Sequence, residues 1–279
     1  MKHLEGEFKG VKDLKIYYQA WVPESPLAVI QLVHGGFEHS GRYQNVVDEL
    51  IPYNYAIYAD DHRGHGKSDG LRNYIDSFDQ YIEDEKIFYD LIKGFHPNLP
   101  IFMLGHSLGS FIAIYFTKKY EHFLDGLILS GTGTEPGKET SGFLKKIAKV
   151  FSKIAPKMKF NPRIDAKFLS HDLEVVKNYE TDPFVNVNKI TARLSYEMLQ
   201  NFKNLKTFVG NFKISLLVQC GSEDKLIKGS ENLKNLFKMP DKTIKIYEGL
   251  YHEVYNEMEE DRIKVLKDLS NWLNIHVSQ

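Results

Sequence analysis

Ser107 has the sequence setting of a nucleophile. It is the central residue of Gly-His-Ser-Leu-Gly at 105–109, which follows the apolar run 101–104 and precedes a helix-compatible stretch at 110–115. A serine on so tight a turn between strand and helix projects its hydroxyl above the sheet. Glycines at both ends of the motif avoid collisions with the neighbouring strand and helix. The motif and its position therefore predict a nucleophilic serine.

A nucleophilic serine requires a base and an acid that orients the base. The candidate acids Glu223 and Asp224 follow an apolar run that ends at Cys220, and His252 follows a later alternating run in the same way. His276 lies close to the C-terminus, which favours His252 as the base. Serine, acid and histidine in this order at successive strand ends match a serine hydrolase whose nucleophile occupies a strand–helix turn.

Two backbone N–H groups are expected to stabilise the oxyanion that forms during acyl transfer. Leu108 directly follows the nucleophile and supplies one of them. The second is expected from the loop His-Gly-Gly-Phe at 34–37, which follows another apolar run. Glycine lets the backbone direct its N–H inward, so Gly36 is the predicted second donor.

Strand-length apolar runs alternate with helix-length segments along most of the chain, which predicts an α/β fold with a largely parallel sheet. An antiparallel strand is expected at 15–21 and an edge strand at 243–247. The alternation stops between about 131 and 209, where no strand is predicted, and this insertion is interpreted as a cap. The predicted buried strands are 27–33, 56–59, 101–104, 127–129 and 214–218, and the helices 43–50, 78–92, 110–120 and 259–272.

Composition limits the possible partners and compartments. The 279 residues carry a net charge of −1, which gives no reason to expect nucleic acid as a partner. The single cysteine, Cys220, excludes an internal disulfide and is typical of a reducing compartment. Residues 1–7 are more polar than is expected of a signal peptide, and no apolar run reaches the roughly 20 residues needed to cross a bilayer. The sequence predicts a cytoplasmic protein and makes no prediction of oligomeric state.

Three segments resemble monoacylglycerol lipases and related lysophospholipases of the α/β-hydrolase class, which have a serine aminopeptidase-like core. They are 34–43, 61–68 and 105–109. The resemblance implies an α/β-hydrolase fold, with a mostly parallel eight-stranded sheet flanked by helices and an inserted helical cap. The expected division is core at 1–131, cap at 132–207 and core at 208–279. The resemblance also places the acid at Asp224 rather than Glu223, and it implies ester hydrolysis without metal or cofactor.

Four residues around the nucleophile are candidates for substrate binding. Glu38 and Arg42 either bind the glycerol hydroxyls of a monoglyceride or pair with each other to brace the oxyanion loop, and the bracing role is favoured. His106 either contacts the head group or only packs. Phe37 stands where related enzymes often have glycine, and its bulk would narrow the pocket mouth. The resemblance and the glycines among 61–66 suggest that Asp61, His62, Arg63 and His65 shape a turn rather than form a second catalytic cluster.

The segment 142–160 is predicted to be a basic amphipathic helix that Pro156 kinks or ends. Its apolar face makes Leu144 and Phe151 candidate acyl-chain contacts. Two roles stay open: a lid whose apolar face covers the acyl pocket, and a helix that lies on an anionic membrane. The apolar positions are 144, 147, 148, 151, 154, 155 and 158, and the lysines are Lys145, Lys146, Lys149, Lys153 and Lys157.

These residues predict a serine carboxylic ester hydrolase that acts on lipid-like monoesters, either monoacylglycerols or lysophospholipids. An acyl thioesterase or a generalist short-chain carboxylesterase is the alternative within the enzyme class, because the same triad serves all three. A catalytically inactive α/β-hydrolase that acts as a binding module is the alternative outside it.

Overall fold

Eight strands form one sheet in the computed structural model, which describes residues 1–137, 142–162, 164–187, 189–207 and 210–277. The strands are β1 (Lys2–Lys9), β2 (Lys15–Val22), β3 (Ala28–Val33), β4 (Tyr55–Asp60), β5 (Ile101–His106), β6 (Gly126–Ser130), β7 (Ser215–Gly221) and β8 (Lys242–Tyr247).

The order of the strands across the sheet is β1-β2-β4-β3-β5-β6-β7-β8. β2 is antiparallel to both of its neighbours, whereas all pairs from β4 to β8 are parallel. Every residue of β3, β4, β5 and β6 is buried, because helices cover both faces of the sheet. This burial explains the unbroken apolar runs of the sequence, and the prediction of a mostly parallel eight-stranded sheet is confirmed.

The helices divide into two covering layers and a separate group between β6 and β7. α2 and α3 pack against one face of the sheet, and α1 and α8 pack against the other. The helices of the described residues are α1 (Gln44–Leu50), α2 (Asp79–Phe95), α3 (Leu108–Tyr120), α4 (Gly142–Ile154), α5 (Leu173–Thr181), α6 (Ala192–Thr207), α7 (Leu233–Leu236) and α8 (Glu259–His276). No helix within the described ranges is long and apolar enough to span a membrane.

Two features of the strand pattern differ from expectation. β1 has no counterpart among the predicted strands, because it is an edge strand in which only Phe8 is buried. The described part of the insertion also contains three strands of two residues. Glu135–Pro136 pairs with Ile227–Lys228 of the core, and Lys159–Phe160 pairs with Ile190–Thr191. Two residues are too few to produce a recognisable alternating pattern.

The chain between β6 and β7 runs through α4, α5 and α6. α4 packs against α6 and ends at Ile154, two residues before Pro156, where an interior proline would remove a helical hydrogen bond. We propose residues 132–207 as the cap, inserted between core segments 1–131 and 208–279. The insertion begins at the carboxyl ends of the parallel strands, so it lies above the end of the sheet that carries Ser107.

Candidate active site

Ser107 occupies a strained turn between β5 and α3. Its backbone has φ 52° and ψ −116°, in the positive-φ range that residues other than glycine adopt only when the surroundings enforce it. A Cβ on Gly105 would lie 2.3 Å from the carbonyl oxygen of Gly109, and a Cβ on Gly109 would lie 2.0 Å from that of Val33. Both glycines of the motif are therefore required by close backbone approach, and the turn presents the serine side chain above the sheet.

Asp224 and His252 form a direct pair. His252 Nδ1 lies 2.7 Å from Asp224 Oδ2. Oδ1 of the same aspartate accepts hydrogen bonds from the backbone N–H groups of Leu226 at 2.8 Å and Ile227 at 3.0 Å. Glu223, the competing acid, is exposed and pairs with Lys225. The geometry brings Asp224, and not Glu223, to the histidine.

The shared hydrogen bond changes the pKa of both partners. Burial alone would raise the pKa of Asp224, but the charge and hydrogen bond of His252 together with two backbone N–H groups lower it below its ordinary value. Burial alone would lower the pKa of His252, but the charge and hydrogen bond of Asp224 raise it above 6.5. The pair therefore stabilises the imidazolium that a general base becomes when it accepts a proton.

Ser107 and His252 line the same cavity, and His106 lines it beside them. The hydrogen bond at the His252 ring runs to Asp224, and none joins this ring to the Ser107 hydroxyl. Such a contact between nucleophile and base often tightens only in the complex with substrate. His276, the other candidate base, is at the end of α8, where its ring contacts Trp272 and Asp241.

The predicted oxyanion donors lie next to each other. A Cβ on Gly36 would be 3.6 Å from the Cβ of Leu108, which is an ordinary contact, so glycine is not sterically required at position 36. The steric requirement falls on Gly35, where a Cβ would lie 2.5 Å from Glu38 Oε1. The residue with positive φ is Phe37, at 71°. The loop thus turns at Phe37, and Gly36 and Leu108 both face the cavity.

Glu38 and Arg42 form an ion pair that includes a third residue. Arg42 Nη1 donates to Glu38 Oε2 at 2.6 Å, and the guanidinium also donates to both oxygens of Glu253, at 2.7 and 2.8 Å. Arg42 does not line the cavity, whereas Glu38 does. These contacts support the role in which Glu38 and Arg42 brace the oxyanion loop. Glu253 is not predicted from the sequence, although its position directly after His252 is a signal that it lies near the site.

His106 is buried between the catalytic pair and the core. Its ring centroid lies 4.9 Å from that of His252, and its Nδ1 lies 3.3 Å from the hydroxyl of Ser130. Burial, followed by the charge of His252, lowers the pKa of His106 to about 4. His106 is therefore neutral at neutral pH and lines the cavity as an uncharged ring.

The cavity has a volume of about 450 Å³ and two kinds of wall. The floor comes from the core and carries the polar groups around Ser107. The roof comes from the insertion and is mainly apolar. The floor consists of residues 35–38, 106–108, 111 and 252–253, and the roof of Pro136, Gly137, Pro162, Ile164, Asp165, Phe168, Leu169, Tyr179, Ile190, Met198 and Phe202. Residues 225–228 of the core also line the cavity.

The described residues of α4 do not contribute to the lining of this cavity. Phe151 does not line this cavity and packs against Phe160, with ring centroids 6.2 Å apart. The side chain of Leu144 lies outside the described residues. Val150 and Ile154 are exposed, at 52% and 73%. The described roof residues therefore lie outside α4, at 136–137 and from 162 onward.

A second cluster of titratable groups lies behind the oxyanion loop. Asp60, His62 and Glu85 are buried, and their ligand atoms lie within 4.8 Å of one another, a spacing that a metal ion would fit. His62 Nε2 donates to the carbonyl oxygen of His34 at 3.0 Å, which leaves Nδ1 facing the two carboxylates at 3.4 and 3.3 Å. Burial lowers the pKa of His62, but Asp60 and Glu85 raise it well above its ordinary value. A proton on Nδ1 thus accounts for this geometry.

The residues next to this cluster stabilise the turn at 61–66. Asp61 accepts hydrogen bonds from the N–H groups of Ser40 and Lys67, and Arg63 pairs with Asp84. Neither Asp61 nor Arg63 lines the catalytic cavity. These contacts support a structural role for the 61–66 segment.

The fold and the site define a class of protein. An open, mostly parallel sheet of eight strands carries a serine on the turn after β5, an acid after β7 and a histidine after β8. This arrangement is that of an α/β-hydrolase. Within this class, the hydrolase family described as "Serine aminopeptidase, S33" matches residues 24–259, and the chain belongs to it.

Relatives narrow the family further. The chain is 34% identical over 276 residues to the monoacylglycerol lipase of Mycolicibacterium smegmatis, a match that covers 98% of each chain. It is 30% identical over 263 residues to the human monoglyceride lipase, with 93% of this chain and 86% of the relative covered. The crystal structure of the Paleococcus ferrophilus monoacylglycerol lipase superposes with a TM-score of 0.81 at 28% identity, over 99% of this chain and 100% of that one. The chain belongs to the monoacylglycerol lipase group of α/β-hydrolases.

Proposed function

We propose that this protein is a serine carboxylic ester hydrolase that cleaves lipid monoesters, monoacylglycerols or lysophospholipids, into a fatty acid and an alcohol. The observation that carries the proposal is the composition of the cavity at Ser107. Its floor provides a nucleophile, a base and two amides, and its roof provides a mainly apolar surface that can bind an acyl chain. Relatives that match nearly the whole chain are named for monoacylglycerol hydrolysis.

The proposed reaction uses the floor residues in sequence. Ser107 Oγ attacks the ester carbonyl while its proton passes to His252 Nε2, and Asp224 stabilises the resulting imidazolium. The N–H groups of Gly36 and Leu108 bind the oxyanion. The tetrahedral intermediate collapses, the ester C–O bond breaks, and the departing alcohol takes the proton from His252. Water then attacks the acyl-enzyme by the same route, which releases the fatty acid and restores Ser107.

The roof favours long acyl groups over polar substrates. Phe168, Met198 and Phe202 enclose the space above the nucleophile, and Phe202 packs edge-on against Phe111 of the core, with centroids 4.8 Å apart. Apolar side chains of this kind bind an acyl chain through burial of apolar surface. Asp165 of the roof pairs with Lys167 at 2.8 Å, and Lys225 and Lys228 of the core also line the cavity.

We also propose that α4 and the residues after it contact the membrane surface from which the lipid substrate comes. Val150, Ile154 and Met158 are exposed at 52%, 73% and 44%, and exposed lysines flank them at 146, 149, 153 and 157. Apolar residues that neither line the acyl cavity nor lie in the core are available to enter a lipid interface, and the lysines add attraction to anionic lipids.

The proposed function is tested by measuring fatty-acid release from 1-monooleoylglycerol, lysophosphatidylcholine and oleoyl-CoA under the same conditions. We expect turnover of at least one of the two oxygen esters to exceed that of the thioester. Ser107→Ala is expected to reduce this turnover about a million-fold and to abolish labelling by a fluorophosphonate probe.

Ser25→Ala is the matched control, because Ser25 is an exposed serine that does not line the cavity, and we expect full activity. Hydrolysis of only short p-nitrophenyl esters would contradict the lipid substrate and indicate a generalist carboxylesterase. Preference for oleoyl-CoA would indicate a thioesterase. A folded protein that hydrolyses none of these compounds and does not label at Ser107 would indicate a binding module.

A further inference from the structure

A buried network of ion pairs connects the oxyanion loop with the loop that carries His252. Arg42 lies between Glu38, which belongs to the oxyanion loop, and Glu253, which directly follows His252. The side chains are 10% exposed for Arg42 and 5% for each glutamate. The Arg42–Glu253 pair is bidentate, with both guanidinium nitrogens engaged, and such a pair fixes orientation as well as distance.

We propose that Glu253 is a positioning residue for catalysis, which through Arg42 and Glu38 aligns the His252 loop with the oxyanion loop and adds negative charge beside the base. This inference rests on the proposed ester hydrolysis at Ser107 and assigns the network a part in it. Glu253 does not contact the reacting atoms, so its effect is exerted through its neighbours.

The first part of the argument is geometric. Glu38 Oε1 accepts a hydrogen bond from the N–H of Gly35 at 2.6 Å and another from the hydroxyl of Tyr43 at 2.8 Å. The carboxylate therefore fixes the backbone one residue before Gly36, the predicted oxyanion donor. Because the other oxygen of Glu38 is bound to Arg42, any displacement of Arg42 is transmitted to this loop. Small displacements of catalytic groups reduce rates strongly.

The cap closes the network on its outer side. The Arg42 guanidinium lies 4.6 Å from the ring centroid of Tyr179 in α5, as a cation–π contact. The N–H of Glu253 donates to the carbonyl oxygen of Leu169 at 2.8 Å. Tyr179 and Leu169 both belong to the roof. The same network thus ties the floor to the part of the roof that lies directly above it.

The second part of the argument concerns charge. The network contains one cation and two carboxylates. Burial alone would raise the pKa of Glu253, but the Arg42 charge lowers it to about 2, so Glu253 is ionised at neutral pH. Burial lowers the pKa of His252, but Asp224, Glu253 and Glu38 raise it, and His106 contacts its ring. Lys225, Lys228 and Asp165 line the same cavity, and Arg42 is paired with the two glutamates. His106 is neutral, so the excess charge near the base is negative and favours the imidazolium.

Two substitutions separate alignment from charge. Glu253→Gln keeps the shape of the side chain and removes its charge, whereas Arg42→Lys keeps the charge and removes the planar fork. Rates of monooleoylglycerol hydrolysis are measured between pH 5 and 9 and divided by the concentration of active sites, which is titrated with a fluorophosphonate. This correction removes any loss due to unfolded protein.

We expect both variants to lose about tenfold in kcat/KM at the optimum, and only Glu253→Gln to shift the acid limb of the profile to lower pH. The shift follows because His252 then loses a stabilising negative charge and its pKa falls. Glu223→Gln is the control, because it removes an exposed carboxylate next to Asp224, and we expect neither change.

A Glu253→Gln enzyme that is less stable to heat, but has the wild-type kcat/KM per active site and the wild-type acid limb, would overturn the proposal and leave the network a purely structural role. If Glu253→Gln fails to fold, Arg42→Lys with an unchanged kcat/KM per active site would overturn it instead. Failure of the wild-type protein to hydrolyse any ester is a different result, and it would count against the proposed function.

Discussion

The floor and the roof of the cavity are built on different physical principles. Floor residues are fixed by short, directional contacts: the strained backbone of Ser107, the 2.7 Å contact between Asp224 and His252, and the bidentate pair at Arg42. Roof residues such as Phe168, Met198 and Phe202 act mainly by apolar contact. Hydrogen bonds and ion pairs specify positions to within tenths of an ångström, whereas apolar packing tolerates changes that conserve volume.

The difference assigns separate tasks to the two regions. Floor substitutions should affect every substrate equally, because each ester requires the same proton transfers and the same oxyanion contacts. Roof substitutions should affect substrates according to their size, because they change the space rather than the chemistry. The two regions meet at Tyr179 and Leu169, which contact the network of Glu38, Arg42 and Glu253. The predictions below test this division.

The largest difference within the floor is expected between two adjacent acids. Asp224→Asn should reduce kcat about ten-thousand-fold, because the amide would hold the His252 ring in the wrong tautomer. Glu223→Gln should leave kcat unchanged, since Glu223 is exposed and bound to Lys225. Steady-state kinetics with monooleoylglycerol and with p-nitrophenyl butyrate measure both effects. Equal losses in the two variants would contradict the choice of Asp224 as the acid.

The pH profile tests the floor without a substitution. The catalytic base must be neutral to accept the Ser107 proton, and Asp224 raises the pKa of His252 above its ordinary 6.5. As the pH falls, kcat/KM should therefore begin to decline above pH 6.5 and then drop about tenfold for each further pH unit. The same acid limb is expected for long and short esters, because the pKa in kcat/KM belongs to the free enzyme. An acid limb below pH 6.5 would contradict the assigned environment of His252.

A roof substitution should discriminate between substrates. Met198→Trp places a larger side chain in the apolar space, and we expect kcat/KM for monooleoylglycerol to fall about tenfold while p-nitrophenyl butyrate is hydrolysed at the wild-type rate. Lys177→Trp, on the exposed side of α5, adds the same ring outside the cavity and should change neither rate. A parallel loss for both esters in Met198→Trp would show that the roof affects chemistry as well as size.

The smallest effect on chemistry is expected from α4. Introducing Val150→Asp and Ile154→Asp together should reduce binding to vesicles that contain anionic lipid by about tenfold, with no change in the hydrolysis of p-nitrophenyl butyrate in solution. Co-sedimentation with the vesicles measures the first quantity. Lys177→Asp is a control for added negative charge on another exposed helix of the insertion. Unaltered vesicle binding in the double variant would contradict membrane contact through this helix.

Most of the floor could be predicted from the sequence because its signals are local or ordered along the chain. Ser107 has a glycine-bounded motif between a strand and a helix, and Asp224 and His252 follow strand ends in the expected order. The structure brings Asp224 to His252 and places Gly36 beside Leu108. The requirement for glycine, however, falls on Gly35, because it depends on a contact with the Glu38 side chain that no local pattern reveals.

Other parts could not be predicted, for physical reasons. Glu253 is a partner of Arg42 only in three dimensions, since the two residues are 211 positions apart. The apolar pattern of the 142–160 segment identifies an amphipathic helix, but the pattern does not specify what its apolar face contacts. Phe151, a candidate acyl-chain contact in the sequence, packs against Phe160 in the structure. The first strand escapes prediction because an exposed edge strand has a polar composition.

The order of the strands along the chain has a consequence for the assembly of the active site during synthesis. Ser107 is synthesised early, whereas Asp224 and His252 follow β7 and β8, the last two strands of the sheet in chain order. Synthesis proceeds at roughly 5–20 residues per second, so for about 7 to 29 seconds Ser107 belongs to a chain that has no His252 to activate it. A chain that stops before His252 is therefore expected to lack ester hydrolysis, because its serine has no base.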